Sequence, residues 1–315
     1  MNKIIIAEFM DSAAVESLRA RFDVHYDSQL HENREALIHA IHDADGLIVR
    51  NRTRVDQALL SQPHRLRAVG RLGVGLDNID TAACGERGIA VFPATGANAN
   101  TVAEYVICCA MMLLRRAYTV TGAVAAGQWP RDALVNGQEI GGKTLGIIGL
   151  GSVGGRTAEL AQAMGMTVMA YDPSPAARAD TLNTVVRSPS VDAVLAGADV
   201  VSLHVPLTAA TKNLIGATQL NAMKPGAILI NVARGGVVDE AALATSLKDG
   251  HLGGAAIDVY AHEPLPAGSA LADAPNLILT PHIAGVTLES NMRVSAMIAE
   301  RVSQHLLSNS TGDKP

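Results

Sequence analysis

The chain has 315 residues, 48% hydrophobic and 17% charged, which excludes a disordered chain and suits about two domains with their own cores. Its net charge of −5, from 25 basic and 30 acidic residues, argues against a nucleic-acid footprint spread over the chain. Aromatic residues make up only 3%, too few for the stacking platforms of single-strand binders.

The chain opens on Ile4-Ile5-Ile6, a run too short for a signal-peptide core. With Gly46 to Val49 and Ile89 to Phe92 it reads as a set of buried strands. Ala13 to Arg21 and Arg34 to His42 between them carry helical spacing. Such alternation predicts an α/β fold with a parallel sheet covered on both faces. Thr101 to about Val120 reads as one long apolar helix, suited to a core or a dimer interface. Glu104 interrupts it, and no membrane span is expected. Cys84, Cys108 and Cys109 lack zinc or CxxC spacing; the adjacent pair reads as small core residues in a reducing compartment, and the protein is expected to be cytoplasmic. Trp129 is expected to pack a loop.

A second βα series follows: Thr144 to Ile148, a helix from Val153 to Met164, then strands at Thr167 to Tyr171, Val200 to Leu203, Ala227 to Ile230, Ala255 to Ile257 and Leu277 to Leu279. A last helix spans about Glu289 to Leu307, before a polar tail. The series predicts a doubly wound sheet.

At its first turn stands Gly149-Leu150-Gly151-Ser152-Val153-Gly154, a GxGxxG between strand and helix. In that setting the first glycine makes the turn, the second lets a pyrophosphate approach, and the third lets helix and strand pack. The N–H groups of the following helix N-terminus face the phosphates. Asp172, at the end of the next strand, suits the ribose hydroxyls and favours NAD over NADP; Arg178 nearby keeps NADP open. No metal site is indicated, because no His pair has ligand spacing with a carboxylate or cysteine.

Three further segments each place one reactive group just after a strand: Arg234 in Asn231 to Gly236, Glu263 in Asp258 to Pro264, and His282 in Thr280 to Gly285. Hydride transfer to a 2-oxo acid needs a proton donor, for which His suits neutral pH. It also needs a carboxylate to orient the imidazole and a guanidinium to hold the substrate carboxylate.

On these segments, with Leu72 to Asp80 and Gly96 to Glu104, the chain resembles the D-isomer-specific 2-hydroxyacid dehydrogenases over nearly its whole length. The resemblance implies a Rossmann-type NAD domain, 99–286, inserted into a flavodoxin-like substrate domain, 1–98 and 287–315. Hinges near Asn98 and Thr287, an active site in the cleft and a homodimer are also implied, with a small 2-hydroxy or 2-oxo acid as the partner and neither membrane nor nucleic acid. His282 is then the acid/base, Glu263 its partner and Arg234 the substrate anchor. Thr101, Asp172, His204, Pro206, Ala233 and Asp258 fall at cofactor positions; by its residues alone His204 also suits a satisfied core histidine. Val74, Gly75 and Asn98 fall in segments that meet the substrate.

An arginine cluster marks the first third. Arg52, Arg54, Arg65 and Arg67 suit a solvated surface, whereas Arg50 ends a strand and Arg71 precedes the carboxylate loop. The matching positions in the phosphoglycerate-dehydrogenase branch bind phosphate. The expected substrate is therefore a 2-hydroxy acid with a second anion, a phosphate, sulfonate or carboxylate; the segments around Glu8, Arg50 and Gly70 look most like sulfolactate dehydrogenases. Because sulfur outranks the carboxyl group, a D-type centre in sulfolactate carries the label S. The alternatives are a neutral-side-chain reductase acting on hydroxypyruvate or glyoxylate, and a nicotinamide-sensing corepressor.

Overall fold

The computed structural model describes residues 1–174 and 184–308, so Arg178 and the polar tail lie outside the described residues. They form two compact units: 1–98 with 286 onward, and 99–285. Among them no single helix is long and apolar enough to cross a membrane.

In the first unit five parallel strands run β1 (Lys3–Ile6), β2 (Asp23–Tyr26), β3 (Gly46–Val49), β4 (Ala68–Arg71) and β5 (Ala90–Pro93), in the spatial order 2-1-3-4-5 of flavodoxin-like sheets. Side chains alternate along each strand. Ile4, Ile6 and Ile48 pack on one face with the helices Ser12–Arg19 and Leu288–Ser308. Ile5, Leu47, Val49 and Val69 pack on the other face with Leu37, Ile41 and Leu59. The last helix reaches this unit through Val294, Ile298, Val302 and Leu306 at helical spacing. Gly70 lets it sit close: a Cβ there would lie 2.5 Å from Ile298 and 2.9 Å from Val302.

Sequence patterning missed β2 and β4. The exposed and half-buried alternation in β2, Asp-Val-His-Tyr, is that of an edge strand, and Ala68 to Arg71 has only one β-branched residue.

In the second unit seven strands follow: β6 (Thr144–Ile148), β7 (Thr167–Tyr171), β8 (Val186–Arg187), β9 (Val200–Leu203), β10 (Ile228–Asn231), β11 (Gly254–Ile257) and β12 (Leu277–Leu279). Their spatial order is β12-β11-β10-β9-β6-β7-β8, all parallel. The order reverses at β6, the switch point where doubly wound sheets bind ligands. Register does the rest. Tyr171, Ile148, Leu203, Asn231, Ile257 and Leu279 stand in one row across six strands. The residues that follow them, Asp172, Gly149, His204, Val232, Asp258 and Thr280, therefore leave the sheet along one edge.

The apolar helix is shorter than its composition suggests, running Ala99–Arg115. Arg116 then turns left-handed (φ 53°), and a 3-10 turn, Ala117–Val120, leads to a short helix, Thr121–Ala125. Cys109 packs in the core while Cys108 is exposed, because adjacent helical residues point about 100° apart. Trp129 corrects its expectation: it is 81% exposed and packs no loop.

Ile298→Ala is expected to cost about 2–5 kcal/mol in urea unfolding of the first unit, since it removes a fully buried side chain at the closest helix–sheet approach.

Candidate active site

The fingerprint forms a tight turn in the second unit. A side chain at Gly149 would stand 2.5 Å from the His204 carbonyl oxygen, and one at Gly154 would stand 2.1 Å from the Gly149 carbonyl oxygen. At Gly151 nothing lies within 4 Å, so a ligand can reach the backbone there. The helix Ser152–Ala163, which carries Ser152, Val153 and Gly154, starts from Gly151 with no side-chain cap. Several other helices start from Asp11, Asn33, Asp80, Ser190 or Asp239, whose side chains accept a first-turn N–H, although the short helix Ala217–Ala222 also starts uncapped, from Gly216. An uncapped N-terminus behind an open glycine fits a pyrophosphate. Asp172 is fixed beside it, accepting from Leu150 N at 2.6 Å and Ser174 N at 2.8 Å. These residues fit NAD, with Asp172 available to its ribose.

His204 leaves β9 next to this turn. Its Nε2 lies 2.9 Å from Ser202 Oγ, and burial pushes its pKa down to about 4, so the ring is neutral at physiological pH. Pro206 follows in an exposed loop, its carbonyl accepting from Thr211 Oγ1 at 2.5 Å. Thr101 is buried in the first turn of the helix Ala99–Arg115.

Arg234, Glu263 and His282 follow three adjacent strands, β10, β11 and β12. His282 Nδ1 lies 2.9 Å from Glu263 Oε2, and Glu263 Oε1 accepts from Tyr260 N at 3.1 Å. The carboxylate is thereby held by its own loop while it orients the ring, and the pair stays open to solvent. His282 is left-handed (φ 57°), an uncommon conformation for a residue other than glycine. Asp258 imposes it. Its backbone carbonyl accepts from His282 N at 2.8 Å, while its carboxylate accepts from Ile283 N and Ala284 N, both at 2.8 Å, and from Thr280 Oγ1 at 2.6 Å. Thr280 Oγ1 in turn meets the Tyr105 hydroxyl at 2.6 Å, where burial pushes the Tyr105 pKa up. The phenol therefore stays protonated and donates to Thr280.

The Arg234 loop packs against the Glu263 loop through Gly235, where a Cβ would stand 1.7 Å from the Tyr260 carbonyl oxygen. Asn231 closes that loop: its Oδ1 accepts from Ala233 N at 3.1 Å and its Nδ2 donates to the Arg234 carbonyl at 3.2 Å. Arg234 Nη1 donates to the Ala233 carbonyl at 2.6 Å.

In the first unit, Arg50 and Arg71 leave neighbouring strands, β3 and β4. The Arg50 guanidinium lies 5.8 Å from the Phe9 ring centroid and donates to Asn291 Oδ1 at 3.1 Å. Arg71 folds over Gly73 and donates to the Leu72 carbonyl at 3.2 Å. Val74 and Gly75 lie half-buried in the same loop. Asn98 keeps a buried Oδ1 without a hydrogen-bond partner, an acceptor that fits a ligand donor. The rest of the arginine cluster divides: Arg65 and Arg67 pair with Asp45, while Arg52 meets His31 Nε2 at 3.3 Å.

Sequence reasoning missed Tyr105, Thr280, Asn78 and Glu8 as supports. Thr280, Asn78 and Glu8 stood inside recognised segments without a role of their own, and Tyr105 lies just past one. The bonds of Tyr105, Asn78 and Glu8 leave no local pattern, because their partners lie 25 or more residues away in the chain.

Residues 107–284 match the family described as D-isomer specific 2-hydroxyacid dehydrogenase, NAD binding domain. Over 97% of the chain and 99% of the relative, the sequence is 52% identical to an (S)-sulfolactate dehydrogenase of Chromohalobacter salexigens. It is 38% identical to a D-3-phosphoglycerate dehydrogenase of Archaeoglobus fulgidus over 95% of this chain and 56% of that one, so the chain spans about half the length of that enzyme. A solved Thermus thermophilus protein superposes with a TM-score of 0.86 at 33% identity, covering 97% of each chain. A glyoxylate reductase of Paecilomyes thermophila gives 0.84 at 28% identity, over 96% of this chain and 94% of that one.

His204 supplies a direct check on the burial beside the glycine turn. Followed by NMR, its ring is expected to titrate near pH 4. Because the folded pKa is depressed, its contribution to stability is complete above the unfolded value of about 6.5 and declines as pH falls toward 4. His204→Gln should weaken that decline in acid unfolding curves, and a ring titrating near 6.5 would contradict the burial.

Proposed function

The chain belongs to the D-isomer specific 2-hydroxyacid dehydrogenase family, and from that premise we propose that it interconverts (S)-3-sulfolactate and its 2-oxo acid with NAD. NAD-dependent 2-hydroxyacid dehydrogenase chemistry comes with the family. The sulfonate rests on the relative that is 52% identical along essentially its full length. Its S label agrees with a D-type centre, since sulfur outranks the carboxyl group. The observation that carries the chemistry is the 2.9 Å contact between His282 Nδ1 and Glu263 Oε2.

In this reading Nδ1 is committed to Glu263, and Nε2 takes the proton of the substrate hydroxyl during oxidation. Glu263 stabilises the imidazolium that forms and holds the ring through the proton transfer. Arg234 binds the substrate carboxylate and polarises the carbonyl that develops. Gly149, Gly151, Ser152, Val153 and Gly154 hold the pyrophosphate, Asp172 takes the ribose, and Thr101, His204, Pro206, Ala233 and Asp258 line the remaining cofactor. Bound NAD supplies the hydride acceptor. Val74 and Gly75 contribute backbone N–H groups to the substrate carboxylate, Asn98 contributes its free acceptor, and Arg50 and Arg71 bind the distal anion.

The working form is a homodimer in the cytoplasm. The helix Ala99–Arg115 leaves Met111 and Met112 exposed, and Val124, Trp129 and Val135 beyond it are also exposed, an apolar surface suited to a second copy. Free cysteines agree with a reducing compartment.

The test is a matched panel: D-lactate, D-glycerate, D-3-phosphoglycerate, both 3-sulfolactate enantiomers and D-malate, with NAD reduction as the readout. The S enantiomer of sulfolactate is expected to lead D-glycerate by about a hundredfold in kcat/KM, near 2.7 kcal/mol. A lead for phosphoglycerate would reassign the anion, and equal rates on lactate and glycerate would make the enzyme a generalist reductase. No turnover on any acid, with tight NADH binding, would indicate a nicotinamide sensor. Glu263→Gln is expected to lower kcat by about 10²–10⁴-fold, and Arg50→Ala to raise KM for sulfolactate far more than for glycerate.

A further inference from the structure

Glu8 is 3% exposed, and none of the steps above uses it. It stands two residues beyond Ile6, and Arg50 stands two residues beyond Ile48; Ile6 and Ile48 are register partners on β1 and β3. The carboxylate therefore emerges directly beside the loop that carries Arg50.

Four consecutive backbone N–H groups of that loop donate to it. Arg50 N and Thr53 N reach Oε1 at 2.7 and 2.9 Å, while Arg52 N and Asn51 N reach Oε2 at 3.1 and 3.3 Å. Successive N–H groups converging on one point make an anion-binding nest, and here the chain fills it with its own carboxylate. Those bonds outweigh the upward push of burial and hold the Glu8 pKa below its ordinary value, so the group is ionised.

The opposite side of the loop is held as well. Asn78 Nδ2 donates to the Thr53 carbonyl at 2.7 Å and the Arg50 carbonyl at 3.2 Å. Val55 N donates to the Asn78 carbonyl at 2.9 Å, and Asp80 N to the Val55 carbonyl at 2.8 Å. The Arg50 loop and the loop from Leu72 to Asp80 thus form one hydrogen-bonded body. The Arg50 side chain is seated on Phe9 and Asn291, while its Nε and Nη1 make no protein hydrogen bond among the described residues. A guanidinium fixed on one edge and unpaired on the other is prepared for an oxyanion.

We propose that Glu8 and Asn291 are positioning residues for distal-anion recognition: Glu8 fixes the backbone under Arg50, Asn291 fixes its guanidinium, and together they set the preference for substrates with a second anion. The proposal rests on the reading that Arg50 binds that anion. Its energetic basis is preorganisation, because a long side chain ordered before binding loses little rotamer freedom on binding.

The test compares kcat/KM for (S)-3-sulfolactate with kcat/KM for D-glycerate in Glu8→Gln, Glu8→Asp, Asn291→Ala and Arg50→Ala, with melting temperature as the folding control. Glu8→Gln replaces an acceptor by a donor facing N–H groups, and Glu8→Asp keeps the charge but withdraws it by one methylene. The sulfolactate/glycerate ratio is expected to fall at least tenfold in Glu8→Gln and several-fold in Asn291→Ala, through KM rather than kcat. Should Glu8→Gln fail to fold, the same loss is expected of Glu8→Asp. A folded Glu8 variant, or Asn291→Ala, that holds the ratio within twofold of the parent overturns the proposal. Arg50→Ala separates the two ideas. If it abolishes the preference while the positioning variants keep it, only the positioning is wrong; if it too keeps the preference, the reading of Arg50 itself falls.

Discussion

Asp258, 1% exposed just past β11, is the group on which the candidate catalytic edge of the second unit depends. Its backbone N–H donates to Asn231 on β10, its carbonyl accepts from His282, and its carboxylate accepts from Thr280, Ile283 and Ala284 after β12. One residue thereby ties three strand ends together. A buried carboxylate is costly unless its lone pairs are satisfied, so the bonds that stabilise Asp258 also dictate the path of the chain past His282. The left-handed turn at His282 is the local consequence. Backbone strain of order 1–3 kcal/mol is offset by charge-assisted bonds to a fixed acceptor, and the imidazole is delivered to Glu263. A cofactor contact from the same residue can use only directions these bonds leave open.

The first unit solves the same problem with Glu8. There too a carboxylate just beyond a strand end gathers N–H groups from a neighbouring loop, and the loop carries a side chain whose direction matters. Asp45 offers a contrast. It accepts from Lys3 N and pairs with Arg65 and Arg67, all at the N-terminal ends of β1 and β4, away from the edge that carries Arg50 and Arg71. A basic cluster that reads as one patch along the chain is thus divided by strand direction. Arginines before a strand serve a structural carboxylate, and arginines after a strand are candidates for ligand.

This division marks what the sequence makes legible. Ile4 to Ile6, Gly46 to Val49 and the β-branched runs of the second series disclose their strands, because burial on both faces leaves an uninterrupted apolar run. The GxGxxG turn discloses its role because its glycines answer local contacts. Arg234, Glu263 and His282 are visible as reactive types placed after strands, and family resemblance turns that placement into a constellation. Strand β2 and the end of the helix at Arg115 escape, since an edge strand needs little apolar character and a left-handed arginine leaves no compositional mark. Glu8, Asn78, Tyr105 and Thr280 escape for a different reason. Each acts through a hydrogen bond to a partner brought close only by strand register, and register is a property of the whole sheet.

The proposed substrate explains why such rigid mounting is useful. A 2-hydroxy acid with a neutral side chain has one anion, so a carboxylate site alone fixes which end is which. Sulfolactate has an anion at both ends, and so has malate. Exchanging the two ends of the opposite enantiomer leaves the hydroxyl and hydrogen at C2 where they were, with an anion still directed at each anion site. Charge then no longer separates the enantiomers. What separates them is that one arm is longer by a methylene, a carbon–carbon bond of about 1.5 Å. A flexible arginine absorbs that difference by changing rotamer, whereas one held by a loop anchored on Glu8, with its guanidinium tied to Asn291, does not. Misplacement on the scale of 1 Å can cost about a hundredfold in rate, so a fixed guanidinium converts one methylene into stereochemical discrimination. On this argument the buried carboxylate under Arg50 affects the hand of the substrate as well as its charge, although it touches neither.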